Sequence, residues 1–207
     1  MARRLLTGFG MTSLLLAATL ALINPAVSPQ AAEVVDPDAH PLRASVGISA
    51  GSTGTGLDHD GVSTVNTTGA YAGFDARMAY AASRYFEVDA QLHVDVAPGD
   101  SHAVYIPTLG ARIAVPFAGR HDIGLRVGLG AAAMRYPEVS GAFSRGGVYT
   151  GMAGSLTLDY RYWISSTTAF SIGPEVLAAI MGARDDVYEN TAHHVTTGVH
   201  VRMTFGL

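Results

Sequence analysis

Phe86-Glu87-Val88-Asp89-Ala90-Gln91-Leu92-His93-Val94-Asp95-Val96 alternates from end to end: every even position is apolar and every odd one polar. A strand sends successive side chains to opposite faces, so a period of two builds one greasy face and one wet face, whereas on a helix it would scatter both kinds around the axis. The same alternation recurs along the chain. Val46, Ile48 and Ala50 oppose Arg43, Ser45, Gly47 and Ser49, and Ala72, Phe74, Ala76, Met78 and Tyr80 oppose Tyr71, Gly73, Asp75 and Arg77. Tyr105, Leu109, Ala111, Ile113, Val115 and Phe117 oppose Thr108, Gly110 and Arg112, and Ile123, Leu125, Val127, Leu129 and Ala131 oppose Asp122, Gly124, Arg126, Gly128 and Gly130. Met152, Leu156, Leu158, Tyr160 and Tyr162 oppose Gly151, Ala153, Ser155, Thr157, Asp159 and Arg161. Phe170, Ile172, Val176, Ala178 and Ile180 oppose Ser171, Gly173 and Glu175, and the odd positions from Val195 to Leu207 oppose Thr196, Gly198, His200, Arg202 and Thr204. That makes eight strands, each near the ten or so residues with which a tilted strand crosses a bilayer.

Composition points the same way. The 207 residues are 48% hydrophobic and only 14% charged, include 24 glycines and no cysteine, and draw all 13 basic residues from arginine. This excludes a disordered chain and a disulfide-stapled module. The net charge of −4 lacks the basic surplus of a nucleic-acid binder, so no nucleic-acid partner is expected. Residues 1–32 read as a cleaved secretory signal peptide: Arg3 and Arg4 precede the apolar segment Leu14–Ile23, and Ala31-Ala32 offers small residues for cleavage. Residues 33–42 are then a short periplasmic lead, and 43–207 the folded domain.

The connections orient the domain. Short turns fall at Ala82–Arg84, Ala118–His121 and Ile164–Thr167; longer Gly- and Asp-rich links fall at Ser52–Asn66, Pro137–Gly147 and Gly182–His193, with a shorter one at Pro98–His102. Short periplasmic turns and longer outer loops are the habit of outer-membrane barrels, and an even strand count puts both termini in the periplasm. Tyr80, Phe86, Phe117, Tyr162, Trp163, Phe170 and Phe205 lie near the short-turn end, which predicts an interfacial aromatic girdle.

Alternation does not say which face points out, and a soluble lipocalin-like barrel has the same period with its greasy face inside. The wet face decides. It is built of Gly, Ala, Ser and Thr with a nearly balanced set of charges, not of the Lys and Glu of a soluble exterior. Reversing the faces would put arginines such as Arg126 into lipid, at about 2–4 kcal/mol each near the midplane. The expected fold is therefore all-β, an eight-stranded antiparallel up-and-down transmembrane β-barrel, which closes because an open edge in lipid leaves backbone groups unpaired.

These features together, including the final strand Val195–Leu207, resemble the small outer-membrane barrels of the OmpA, OmpX and OmpW type over essentially all of the chain after residue 32. The resemblance implies a Gram-negative outer-membrane location, contact with membrane lipid and lipopolysaccharide, and recognition of the last strand by the barrel-assembly machinery. It also implies a monomer. The family usually ends on an aromatic residue; here Phe205 is followed by Gly206-Leu207. Some barrels of this size modify lipid A with a His and a Ser two positions apart on one strand face. His93 is followed by Val94-Asp95 and His200 by Val201-Arg202, so no enzyme is expected.

The expected functional feature is a lumenal charge network of Arg43, Asp75, Arg77, Glu87, Asp89, Asp95, Arg112, Arg126, Asp159, Arg161, Glu175 and Arg202. The main reading is paired charges filling a narrow lumen, in a structural or passive small-solute pore role; interior glycines would leave room for a thin channel. A surface-loop adhesin or host- or partner-binding protein is the alternative from another class. Pro107 and Pro174, on the apolar face, are expected at a bulge or strand end. The family resemblance adds a second reading for them, a lateral route for small apolar solutes. In the loops, Asp58-His59-Asp60 and Asp185, Asp186, Glu189, His193 and His194 are of metal-ligating type, but solvated acidic tips are the expected state, with no metal and no cofactor. Arg145 and Arg184 stand at the level of lipid A phosphates.

Overall fold

The computed structural model describes residues 40–59, 62–97, 102–136, 147–184 and 189–207; the N-terminal segment read as a signal peptide lies outside them. The described residues form one closed antiparallel barrel in which each strand pairs with its sequence neighbours and the last pairs with the first. The strands are β1 (Leu42–His59), β2 (Val62–Ser83), β3 (Phe86–Ala97), β4 (His102–Phe117), β5 (His121–Tyr136), β6 (Gly147–Trp163), β7 (Thr168–Arg184) and β8 (Glu189–Gly206).

The register fixes the barrel's shape. From Ile48 the cross-strand pairs run to Phe74, Val94, Tyr105, Ala133, Thr150, Gly182 and Thr191, and return to β1 at Asp58, ten residues further on. Eight strands with that stagger tilt by about 40° and enclose a backbone cylinder of roughly 8 Å radius. Side chains reaching inward from opposite walls meet near the axis of such a cylinder.

The apolar face points out. Leu109, Leu129 and Met152 are 72%, 71% and 79% exposed, whereas Arg112, Arg126 and Arg202 on the other face are 1% exposed. Only a hydrocarbon surround makes that distribution stable, because the outward leucines gain nothing in water and the inward arginines need partners.

Several strands run further than alternation predicts. Most of Ser52–Asn66 belongs to β1 and β2, whose pairing continues out to His59↔Val62, with a bulge between Leu57 and Asp58. Polar and glycine-rich composition led to a loop reading there; cross-strand hydrogen bonding above the lipid level overrides it. Likewise Gly182–Arg184 and Glu189–His193 are strand. Of Pro137–Gly147 only Gly147 is described, and of Pro98–His102 only His102.

At the other end the turns are short. Ala118 and Gly119 both have positive φ (49° and 74°), which lets β4 fold back on β5 in three residues; glycine takes this region freely, and alanine at a cost of about 1–2 kcal/mol. The C-terminus is stitched in here as well, with Gly206 N–H donating to Thr167 O (2.6 Å) and Leu207 N–H to Leu42 O (2.9 Å).

Pro107 and Pro174 face outward, but neither makes a bulge or ends a strand. The β4–β5 ladder steps from Tyr105↔Ala133 to Thr108↔Gly130, and the β6–β7 ladder from Thr157↔Glu175 to Tyr160↔Ile172, each with two pairs missing and the register unchanged. A ring without an N–H leaves the gap, and intact pairing on both sides holds the alignment.

Candidate functional site: the lumen

The lumen has two unlike halves. The half near the short turns carries the charges. Glu87 on β3 collects three guanidiniums: it accepts from Arg43, from Arg77 Nη2 at 2.9 Å, and from Arg161 Nη1 and Nη2 at 2.6 and 3.2 Å. Asp89 takes Arg126 through Nε and Nη2, at 3.0 and 2.6 Å, and pairs with Arg77 at 3.0 Å. Arg112 donates to Asp159 at 2.9 Å and to Asp122, and Arg202 donates to Asp75 at 2.7 Å. Arg126 also donates to Ser155 and Thr108, at 2.7 and 3.0 Å, so all three of its guanidinium nitrogens are engaged.

All twelve residues of the expected network therefore face the lumen and are buried. Ten form the guanidinium–carboxylate web just described; Asp95 and Glu175 stand above it. Asp122 is a thirteenth charged residue in the lumen, bonded to Arg112 and to Trp163 Nε1 (3.2 Å). Its place on the wet face of β5 was legible from alternation; its partner was not, because that partner lies on β4.

The interior glycines lie close against neighbouring lumenal groups. A Cβ built on Gly124 would land on the Arg112 guanidinium, one on Gly110 or Gly128 would meet Arg126, and one on Gly47 would meet Asp75. Glycine clears the wall so that a planar guanidinium lies flat against the neighbouring strand. At Gly110, Gly124 and Gly128 the room that could have served a thin channel is taken by arginine.

Trp163 is also placed differently from the expected girdle. It is 3% exposed and lumenal, with the Arg43 guanidinium 4.9 Å and that of Arg161 5.7 Å from its ring centroid. It follows Tyr162, which faces out, so period two was the better guide than residue type. The other residues of the expected girdle remain outside; Phe117 stacks on His121 at a centroid distance of 5.5 Å, Tyr162 lies tilted against His121 at 5.0 Å, and His121 Nδ1 is 2.6 Å from Tyr160 Oη.

The outer half of the lumen holds an apolar cluster, with Thr53, Thr55, Thr196 and His194 buried beside it. Val104 and Ile106 of β4, Met134 of β5, Tyr149 of β6, Leu177 and Met181 of β7, and Leu57 of β1 form one buried cluster. A polar interior was expected over the full height. The signal failed because Val104-Tyr105-Ile106, Ala131–Met134 and Val176–Met181 are apolar on both faces, and a continuous apolar run has no period to read. Val104, Ile106 and Met134 in this cluster are at 0% exposure.

Between the halves, His93 Nε2 lies 2.6 Å from Asp95 Oδ1 and His93 Nδ1 lies 3.7 Å from Glu175 Oε1. His194, grouped by sequence with the loop acids, points inward: its Nε2 is 3.4 Å from Asp95 Oδ2 and its Nδ1 is 3.0 Å from Thr55 Oγ1. His193 faces out and pairs with Asp58 at 3.3 Å. One-residue alternation thus splits the two histidines. Asp60, Arg145, Asp185 and Asp186, and the side chains of His59, Arg184 and Glu189, lie outside the described residues. Among the described residues no group of three or more His, Asp or Glu is arranged to hold a metal ion.

A closed eight-stranded antiparallel barrel, apolar outside and charged within, is an outer-membrane β-barrel. No protein-family model matches the chain, and no curated protein sequence does. Among solved structures the chain is similar to Neisserial surface protein A, with a TM-score of 0.50 and 7% identity over 78% of this chain and 97% of that one. The N-terminal β-barrel domain of Pseudomonas aeruginosa OprF gives a TM-score of 0.42 and 12% identity, over 76% of this chain and 96% of that one. Ail, the attachment invasion locus protein of Yersinia pestis, gives 0.37 and 9%, over 76% and 97%. At such identities the likeness is one of fold.

Proposed function

We propose that this protein is a closed, non-conducting barrel of the Gram-negative outer membrane, monomeric, with a structural role in that membrane. One observation carries the reading: the lumen is filled along its height, by guanidinium–carboxylate pairs near the short turns and by the Ile106–Met134–Leu177 cluster beyond them. An ion entering from outside meets a mainly apolar cluster with only a few hydroxyls and His194 beside it, too few ligands to replace a hydration shell. One entering from the periplasm meets charges already paired to each other. Membrane lipid and lipopolysaccharide surround the belt in this reading, and β8, with Phe205 turned outward, is the strand offered to the assembly machinery. Refolded protein in planar bilayers is expected to show no unitary conductance at moderate voltage. Steady single-channel steps from the wild-type chain would overturn the closed reading.

The surface-binding alternative has its own support. β2 pairs with β3 only from Ala72 onward, so Val62–Tyr71 pairs with β1 alone and forms the free edge of a wall that continues through β1, β8 and β7 above the belt. An unpaired strand edge offers backbone donors and acceptors to another chain. Removing residues 55–67 is expected to leave a folded barrel; if display is the role, cells expressing it lose adhesion to protein-coated surfaces that the full chain supports. Equal adhesion by both forms would remove this reading.

A further inference from the structure

We propose that a trough on the outward face of β8, β1 and β2, at the top of the apolar belt, holds one glycolipid by its sugar headgroup and the first part of an acyl chain. The proposal rests on the reading above that lipopolysaccharide surrounds the belt; the trough gives one such molecule a place and a chemistry.

The first observation is the shape of this wall. A groove of about 510 Å³ lies between Thr68 of β2, Ser52 and Gly54 of β1, and Val195 and Thr197 of β8. Its floor is bare backbone, since a Cβ built on Gly54 would meet nothing within 4 Å. Beneath the groove the β1–β2 rungs stay small. They step from Gly54↔Thr68 to Ser52↔Ala70 and Ala50↔Ala72, and Ile48↔Phe74 then ends the slot. From Gly54 to Ala50 the strand rises about 13 Å.

The second observation is the order of chemistry along that slot. Ser52, Thr68 and Thr197 bring hydroxyls to the trough, whereas Ala50, Ala70 and Ala72 are apolar and exposed. Below them the wall runs on into Ile48 and Phe74, 65% and 53% exposed. The trough is therefore continuous with the face that meets hydrocarbon, at the height where hydrocarbon gives way to headgroups. A molecule that fits both parts is amphiphilic.

The headgroup follows from what the trough carries. The described residues that line it are all uncharged, and the nearest charges further up the wall, His193 and Asp58, pair with each other at 3.3 Å. A phosphate would call for arginine or lysine. Hydroxyls that both donate and accept suit the hydroxyls of a sugar, and a glycine in a strand lets a flat ring come close to the backbone. A protein partner would be held by aromatic or arginine anchors, and the lining residues include neither.

The test uses the full chain refolded into phosphatidylcholine vesicles with and without lipopolysaccharide. Native mass spectrometry is expected to find one lipopolysaccharide retained per wild-type barrel, and the lipid to raise the melting temperature by several degrees. Gly54→Trp fills the trough from a position where nothing stands in the way, and is expected to cut retention severalfold and to abolish the rise. Thr197→Trp, from the β8 side, gives the same reading if the first variant does not fold. Val148→Trp, at an outward position of β6 that is 62% exposed, is the control and is expected to keep both. Deacylated lipopolysaccharide is expected not to be retained, because it leaves the slot below the trough unfilled. Dephosphorylated lipopolysaccharide is expected to be retained as well as the parent. Retention of the deacylated form, loss on dephosphorylation, or trough variants that behave as the wild type overturn the proposal. Lipopolysaccharide held equally by every variant sinks only the trough, whereas a wild-type barrel that holds none sinks the lipopolysaccharide contact with it.

Discussion

Changing Glu87 to glutamine is expected to cost the barrel about 3–5 kcal/mol, the range for breaking a buried ion pair by removing one partner. The amide keeps the shape of the carboxylate and loses its charge, so any effect reads electrostatics and not packing. Glu87 binds Arg43, Arg77 and Arg161 directly, and Arg112 Nη1 is 4.0 Å away. Arg77 retains Asp89, but Arg161 loses both of its bonds to Glu87, and the new amide N–H groups point at N–H donors. Against a total stability of about ten kcal/mol for a domain, that is a large fraction. Asp159→Asn is the matched control: Arg112 keeps Asp122, so the cost should be smaller, about 1–3 kcal/mol. Trp163, the single tryptophan, stands between Arg43 and Arg161 and gives the fluorescence signal for a urea titration. An unchanged midpoint for Glu87→Gln would mean that water screens these charges and that the lumen is open.

The second large effect lies on the other face. Leu129 sits mid-strand in β5 and is 71% exposed, cross-strand from the equally exposed Leu109. Leu129→Arg is expected to destabilise folding into lipid vesicles by about 2–4 kcal/mol, the cost of a guanidinium near the bilayer midplane. Thr68→Arg, also outward but on the strand extension above the belt, should cost about 0–1 kcal/mol. The contrast separates depth from the general effect of adding an arginine. Equal behaviour of the two variants in vesicles would mean that the outer face does not lie in hydrocarbon.

The strands were legible where their two faces differ. From Phe86 to Val96, or from Asp122 to Ala131, each side chain's side of the wall follows from parity alone, and so do the twelve lumenal charges. Parity also separates His193 from His194 and Tyr162 from Trp163, where residue type misleads. It fails where both faces are apolar, which is why the cluster of Val104, Ile106, Met134 and Met181 was invisible and the lumen looked polar throughout. It is silent, too, on the reach of β1 and β2 above the membrane, where hydrogen bonding and not burial holds the strands.

The order of residues by itself determined the class: eight two-faced strands, an apolar surface that only lipid can solvate, and a charged interior. Those are local properties, set by the pleat, and each strand carries its own copy. Only the tertiary structure decided what the interior is. A carboxylate on β3 meets guanidiniums from β1, β2 and β6, and a histidine on β3 meets a glutamate on β7, because a stagger of ten residues around eight strands brings those positions to one level. Sequence separation and strand parity contain no trace of that stagger. It is fixed when the sheet closes, and with it whether inward side chains line a passage or fill it.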